Sequence, residues 1–300
     1  MSLTGAFLIL FVTFHALMNG VAIFWPTAYN VVCEFLGANW YALVGSLVLA
    51  AGFIIHIIYA CWLTIQNRRA RGNERYAVTS RPPQVEWSSK NMLILGFVIV
   101  AFLVLHLIQF WAKMQFAEIC EFKGEEFTTV CGKVIEVSPA AGTLFLQAAF
   151  SQWWVLVAYI VAFIALWFHM THGFWSMFQS CGWNGRIWLP RLKKCANWFT
   201  TIIIALFIAE AVVFFVQAQN GFYKNNPELN HQYVEMAATH NGAADAPYMA
   251  ADKTPGCTGD CTAPAGCTGE VPCPNAADCP NAATCPDAAG QAATNDSINK

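Results

Sequence analysis

Charge is what this 300-residue chain has least of. Only 11% of its residues are Asp, Glu, Lys or Arg, 57% are hydrophobic, and the mean hydropathy is +0.44. A soluble domain carries about a quarter charged residues, so this composition excludes an ordinary soluble globular protein. No charged residue precedes Glu34. The opening segment therefore lacks the basic start of a secretory signal, and it lacks a small-residue cleavage site as well. It reads as a retained first helix, and its want of a polar lead-in leaves room for a native start upstream of Met1. No nucleic acid is expected as a partner.

Long apolar runs take the place of charge. A membrane span needs about 20 mostly apolar residues. Five segments qualify, at approximately residues 1–25, 39–65, 91–112, 148–178 and 196–219. After residue 220 the composition turns polar, Ala-rich and Cys-rich. The simplest division is a five-helix transmembrane domain over 1–220 and an external tail over 221–300. The expected fold class is an all-α membrane protein whose first four spans form an up-down bundle.

The few cations fix the orientation, because Lys and Arg accumulate in cytoplasmic loops. The loop between the second and third spans holds Arg68, Arg69, Arg71, Arg75, Arg81 and Lys90. The loop before the fifth holds Arg186, Arg191, Lys193 and Lys194. These six and four make ten of the sixteen basic residues. The opposite face receives Glu34 in its first loop and Glu118, Glu121, Glu125, Glu126 and Glu136 in its second. The N-terminus is expected in the cytoplasm and the tail outside.

Into these spans the sequence places histidines. They read FVTFHALMN around His15, GFIIHIIYA around His56, FLVLHLIQF around His106, and LWFHMTHGF around His169 and His172. An imidazole inside a bilayer is expensive and marks a functional site by default. A lone one is explained by a packed, hydrogen-bonded residue or a proton path; one or more in each of four successive spans is harder to explain that way. The alternating helix directions put His15 and His106 in the outer half and His56 with His169 in the inner half. At 1.5 Å per residue the two layers lie very roughly 10 to 20 Å apart. Each pair comes from two parallel helices, diagonal in an up-down bundle. Two histidines on facing helices of a bundle core are what a bis-histidine haem requires.

At these residues the chain resembles the di-haem cytochrome b membrane subunit of succinate:quinone and quinol:fumarate oxidoreductases, of the type found in Bacteroidetes. The resemblance covers residues 1 to about 220. It rests on SLTGAFLILFVTFHALMN, on CEFLGANWYALV leading to His56, on QNRRARGNERYAV and on FHMTHGFWSMFQSCGWN. It implies two haem b groups, the outer on His15 and His106, the inner on His56 and a histidine of the fourth span. The family pattern of His, three residues, Gly, apolar, aromatic favours His169 as that iron ligand, with His172 one turn away as a neighbour that packs or meets a haem propionate. It also implies a membrane quinone, menaquinone in such bacteria, and a place in the inner (cytoplasmic) membrane with the tail in the periplasm. A flavoprotein carrying FAD and an iron–sulfur subunit would dock on the cytoplasmic side, and dicarboxylate chemistry would belong to the flavoprotein. A dimer of such complexes is compatible with it.

Two carboxylates are candidates for quinone protons. Glu34 precedes the second span on the outer side, where a related fumarate reductase family uses a glutamate; the bland reading is a solvated loop acid. Glu210 lies inside the fifth span in FIAEAVVFF, where an acid faces the interior or a polar cavity and is otherwise a hydrogen-bonded structural residue. Some family members carry a glutamate two residues before the fourth-span ligand; here that position is Trp167. The basic loops are accounted for by topology alone, and docking of the iron–sulfur subunit is their second reading.

The twelve cysteines fall in two populations. Cys33, Cys61, Cys120, Cys131, Cys181 and Cys195 are scattered, and Cys120 with Cys131 is compatible with a disulfide outside. Cys257, Cys261, Cys267, Cys273, Cys279 and Cys285 form a near six-residue repeat without C-x-x-C-H, so covalent c-type haem is not indicated. The tail lacks the apolar residues for a core and reads as disordered or disulfide-tied. Two other functions are weighed: the di-haem anchor of a nitrate reductase or hydrogenase, whose ligands tend to gather on two or three helices, and a histidine-relay transporter, which would show broken helices or inverted repeats.

Overall fold

In the computed structural model the described residues are 1–37, 40–72, 86–115, 126–128 and 134–240. The readings made for Arg75, Arg81, the side chains of the third loop's acids, Cys120, Cys131 and the six tail cysteines lie outside them. The order of elements is α1 (Ser2–Phe24), α2 (Pro26–Gly37), α3 (Trp40–Arg71), α4 (Trp87–His106), β1 (Glu126–Thr128), β2 (Val134–Glu136), α5 (Gly142–Phe150), α6 (Trp153–Ser180), α7 (Trp188–Gln219) and α8 (Pro227–His240). A π-helical turn, Leu107–Trp111, continues α4, and β1 pairs antiparallel with β2, Phe127 opposite Ile135.

Among the described residues five helices are long and apolar enough to cross a membrane: Ser2–Phe24, Trp40–Ala70, Trp87–Gln115, Trp153–Ser180 and Trp188–Gln219. Their outward faces carry Leu3, Leu10, Leu47, Ile58, Ile94 and Ile202, each more than 60% exposed. A surface this apolar belongs in lipid, where a helix satisfies its own backbone. The chain is a multi-pass membrane protein. Two spans start earlier than their apolar runs: α4 takes in Trp87 and Lys90, and α7 takes in Trp188, Arg191 and Lys193, residue types suited to a membrane edge. Pro190 occupies the first turn of α7, where its missing N–H costs nothing.

Helix α1 runs antiparallel to α3, α4 to α6, and α6 to α7. Thr4 meets His56 and Phe11 meets Phe53 between α1 and α3; Phe102 meets Phe163 between α4 and α6; Phe163 and Trp167 meet Phe207 and Thr201 between α6 and α7. Helix α1 packs against α3, α6 and α7, and α4 against α6 and more sparsely α3. Between α1 and α4, and between α3 and α6, there is no extended packing. The core runs along α1, α6 and α7, around Ala16, Tyr159, Phe163, Phe207 and Phe214.

The sequence read 148–178 as one span and ordered structure as ending at 220. Both boundaries differ here. The fourth span starts at Trp153 because Gln152 is extended and Ser151 ends α5. Helix α5 is a separate piece that buries Phe145, Leu146, Ala149 and Phe150. Order also continues past 220: Gly221, at φ 64°, turns the chain out of α7, and α8 folds back so that Leu229, Tyr233 and Met236 pack on Val137, Ala141 and Tyr223.

Helices α2, α5 and α8 form a cap over one end of the spans, and a buried polar cluster joins them. Asn30 is fully buried; its Oδ1 accepts from the Thr143 N–H at 2.9 Å and the Thr143 hydroxyl at 2.8 Å, while its Nδ2 donates to Gln232 Oε1 at 2.9 Å. With its proton given to Asn30, the Thr143 oxygen accepts from the Tyr233 hydroxyl at 2.6 Å. Burial holds the Tyr233 phenol above its ordinary range. Asn30→Ala would strand a buried N–H and hydroxyl and is expected to cost roughly 3 kcal/mol. A lowered thermal unfolding midpoint of the detergent-solubilised protein, with Thr143→Ser nearly unchanged, is the measurement that checks it.

Candidate functional site

The histidines assemble as two pairs, each across a diagonal that the helices themselves leave open. His15 on α1 faces His106 on α4 with ring centroids 5.7 Å apart and planes at 88°. His56 on α3 faces His169 on α6 with centroids 6.3 Å apart and planes at 65°. Ten residues separate the two levels along α4 (Gly96 to His106) and α6 (Tyr159 to His169), so the layers lie about 15 Å apart at 1.5 Å per residue.

Aromatic rings wall the first pair. His15 stacks on Phe11, one turn earlier, at 5.4 Å and approaches Phe207 at 6.2 Å. His106 lies between Phe102 and Phe110, one turn to either side, at 5.8 and 5.2 Å. Its Nδ1 is 3.2 Å from the Tyr159 hydroxyl, which in turn is 2.8 Å from Gln109 Oε1. Gln109 belongs to the π-helical turn that follows His106. Such turns insert one extra residue and often sit at functional sites.

The second pair is built with less bulk. A Cβ on Gly5 would lie 3.9 Å from His56 Cε1, and one on Gly96 3.9 Å from His169 Cε1. His56 Nδ1 is 3.1 Å from the Thr4 hydroxyl, which donates to the Met1 carbonyl at 3.0 Å. His169 Nδ1 is buried with no hydrogen-bond partner.

His172 does not join this pair. Its Nδ1 is 3.7 Å from Glu86 Oε2 and its ring 4.8 Å from Trp175. Glu86 is held by Lys193 at 2.6 Å, and Lys193 lies 4.3 Å over the Trp175 ring. This cluster borders a cavity of about 250 Å³ between α4, α6 and α7, lined by Trp87, Trp167, Phe168 and Thr171 among others.

The two carboxylates occupy different surroundings. Glu34 is exposed on α2. Glu210 is 4% exposed on α7, with Oε1 buried and without a hydrogen bond. Gly20 faces it, leaving room where a Cβ would come to 3.5 Å. Tyr29 lies nearby and donates to Asn19 Oδ1 at 3.0 Å. Burial, then Cys33, then the Glu210 charge raise the Tyr29 phenol well above its ordinary range.

Among the described residues no group of three or more His, Cys, Asp or Glu converges as a metal site. The donor sets present are paired imidazoles. Two rings bound axially to one iron, with each ligating nitrogen about 2 Å from it, have centroids roughly 6 Å apart. Both pairs have that spacing, and two of the four rings have Nδ1 within hydrogen-bond distance of a hydroxyl. The hydroxyls of Thr4 and Tyr159 and the amide of Gln109 went unread in the sequence. A polar residue three places after His106 in an apolar run was the one available signal.

Cys33 packs under Gly142, whose Cβ would come within 2.5 Å of its Sγ. Burial pushes its thiol up to about 12, against the smaller opposing effects of Tyr29 and the Gly142 backbone. A raised value keeps the thiol neutral until the pH approaches 12, so roughly one molecule in 10⁴ is thiolate at pH 8. Maleimide labelling followed by peptide mass spectrometry is expected to leave Cys33 unmodified at pH 8 while the exposed Cys181 and Cys195 react.

Comparison of the chain with protein-family models, with curated proteins and with solved structures gives no match.

Proposed function

We propose that this chain is the membrane anchor and di-haem b electron-transfer subunit of a succinate:quinone or quinol:fumarate oxidoreductase. The observation that carries the reading is the pairing of four intramembrane histidines across two diagonals at two depths. An imidazole buried in an apolar bundle costs several kcal/mol unless it is partnered, and two facing pairs at this spacing support a ligand shared within each pair. His15 and His106 would hold the outer haem, His56 and His169 the inner. Haem b bound at these pairs supplies one-electron transfer in two steps across the bilayer.

The chain's own residues do the rest. Phe11, Phe102, Phe110 and Phe207 exclude water from the outer pair, and Gly5 and Gly96 keep side-chain bulk away from the inner one. The inner pair lies toward the end of the spans that carries Arg68, Arg69, Lys90, Arg191 and Lys193. By the distribution of positive charge that end is cytoplasmic, and it is where the iron–sulfur subunit and its FAD-bearing flavoprotein partner would dock. The outer pair lies toward the cap, with Glu210 and Glu34 on its side, and there a quinone, menaquinone by the resemblance, would exchange protons. The membrane is then the bacterial inner membrane, with the N-terminus cytoplasmic and the tail periplasmic. His172, turned to Glu86, serves the inner edge and is not a ligand.

A reduced-minus-oxidised optical spectrum of the purified protein is expected to show b-type bands with two haems per chain. His15→Ala or His106→Ala should each remove one haem, His56→Ala or His169→Ala the other, and His172→Ala neither. Absence of b-type bands in the unmutated protein would overturn the reading.

A further inference from the structure

A hydroxyl has one proton, and this limits what Tyr159 does at His106. The Tyr159 oxygen stands 2.8 Å from Gln109 Oε1 and 3.2 Å from His106 Nδ1. The Gln109 oxygen can only accept, so the phenol proton points to it. The Tyr159 oxygen is then left as an acceptor, and His106 Nδ1 must be the donor. A neutral imidazole protonated on Nδ1 carries its lone pair on Nε2. The chain Gln109, Tyr159, His106 is therefore directional. We propose that Tyr159, oriented by Gln109, is a positioning residue that fixes His106 in the Nδ1–H tautomer and strengthens its Nε2 as an electron donor.

The proposal rests on the reading of His106 as an iron ligand, and the geometry around it supports a dedicated arrangement. Tyr159 is 4% exposed, its ring packed edge-on to Phe102 at 4.7 Å and to Phe150 at 5.1 Å, so the hydroxyl has little freedom to swing away. The acceptor that orients it is carried on the π-helical turn directly after the histidine. The same logic recurs once in the other layer: Thr4 gives its proton to the Met1 carbonyl and is left to accept from His56 Nδ1. Among the described residues His15 has no such hydroxyl, so in the outer pair the bond distinguishes one ligand from the other.

An imidazole that donates Nδ1–H to an acceptor is a stronger base at Nε2, and loss of such outer partners costs roughly 10–100-fold in metal affinity. A stronger base favours ferric over ferrous iron. Removing the acceptor should thus raise the midpoint potential of one haem only. A tenfold change in that preference is 59 mV for a one-electron couple.

The test is an optical redox titration of the purified full-length protein. Tyr159→Phe keeps the ring and loses the oxygen. It is expected to retain both haems, to raise one midpoint potential by about tenfold in the ferric-to-ferrous preference, and to leave the other where it was. Gln109→Leu frees the phenol proton to compete for Nδ1, and should move the same haem in the same direction by a smaller amount. Thr4→Val should move the other haem. Two haems with unmoved potentials in Tyr159→Phe would overturn the proposal, as would equal movement of both. If Tyr159→Phe does not hold its haems, an unmoved potential in Gln109→Leu overturns it. Loss of all haem from the unmutated protein removes the di-haem reading and this proposal with it, a result distinct from unmoved potentials.

Discussion

The membrane half of this protein holds four imidazoles in largely apolar surroundings, and two of them are met by hydroxyls. Each is placed on a helix that faces its diagonal counterpart through that ring without extended packing, while α1 with α3 and α4 with α6 pack directly. Aliphatic side chains in the same positions would be cheaper by several kcal/mol each. The packing of the bundle is concentrated elsewhere, along α1, α6 and α7.

The two layers solve the same problem with different means. The outer pair is dense with aromatic rings and has a buried tyrosine; the inner pair has glycines opposite and a threonine from the first turn of α1. Polar groups follow the same division. Glu210, Asn19 and Tyr29 gather beyond the outer pair, and Glu86, Lys193 and His172 gather beside the inner one. Each end of the proposed electron path therefore has its own charged or titratable cluster.

The five spans, the four histidine-bearing helices and the choice of pairs were legible in the sequence, because hydropathy and charge bias report burial and direction without any knowledge of contacts. His169 and His172 come to different surroundings, the first facing His56 and the second Glu86 and Trp175, as the resemblance led one to expect from Gly173. What escaped were groups whose function exists only in three dimensions. Tyr159 looks like one more apolar residue in α6 until its hydroxyl meets Gln109. Thr4 looks like an ordinary helix-start residue. The cap escaped for a different reason: α2, α5 and α8 are short, with mixed composition, and their polar residues are satisfied by partners more than a hundred positions away. Local periodicity carries no trace of such pairs.

The cap also sets an order of events during synthesis. Asn30 cannot complete its bonds until Thr143 and Gln232 have emerged, and Gln232 follows the last span. Segments made early therefore wait, with the outer end of the spans uncovered, while the ribosome delivers some two hundred further residues. Domains of a growing chain settle from the N-terminus onward, and closure here belongs to the final step.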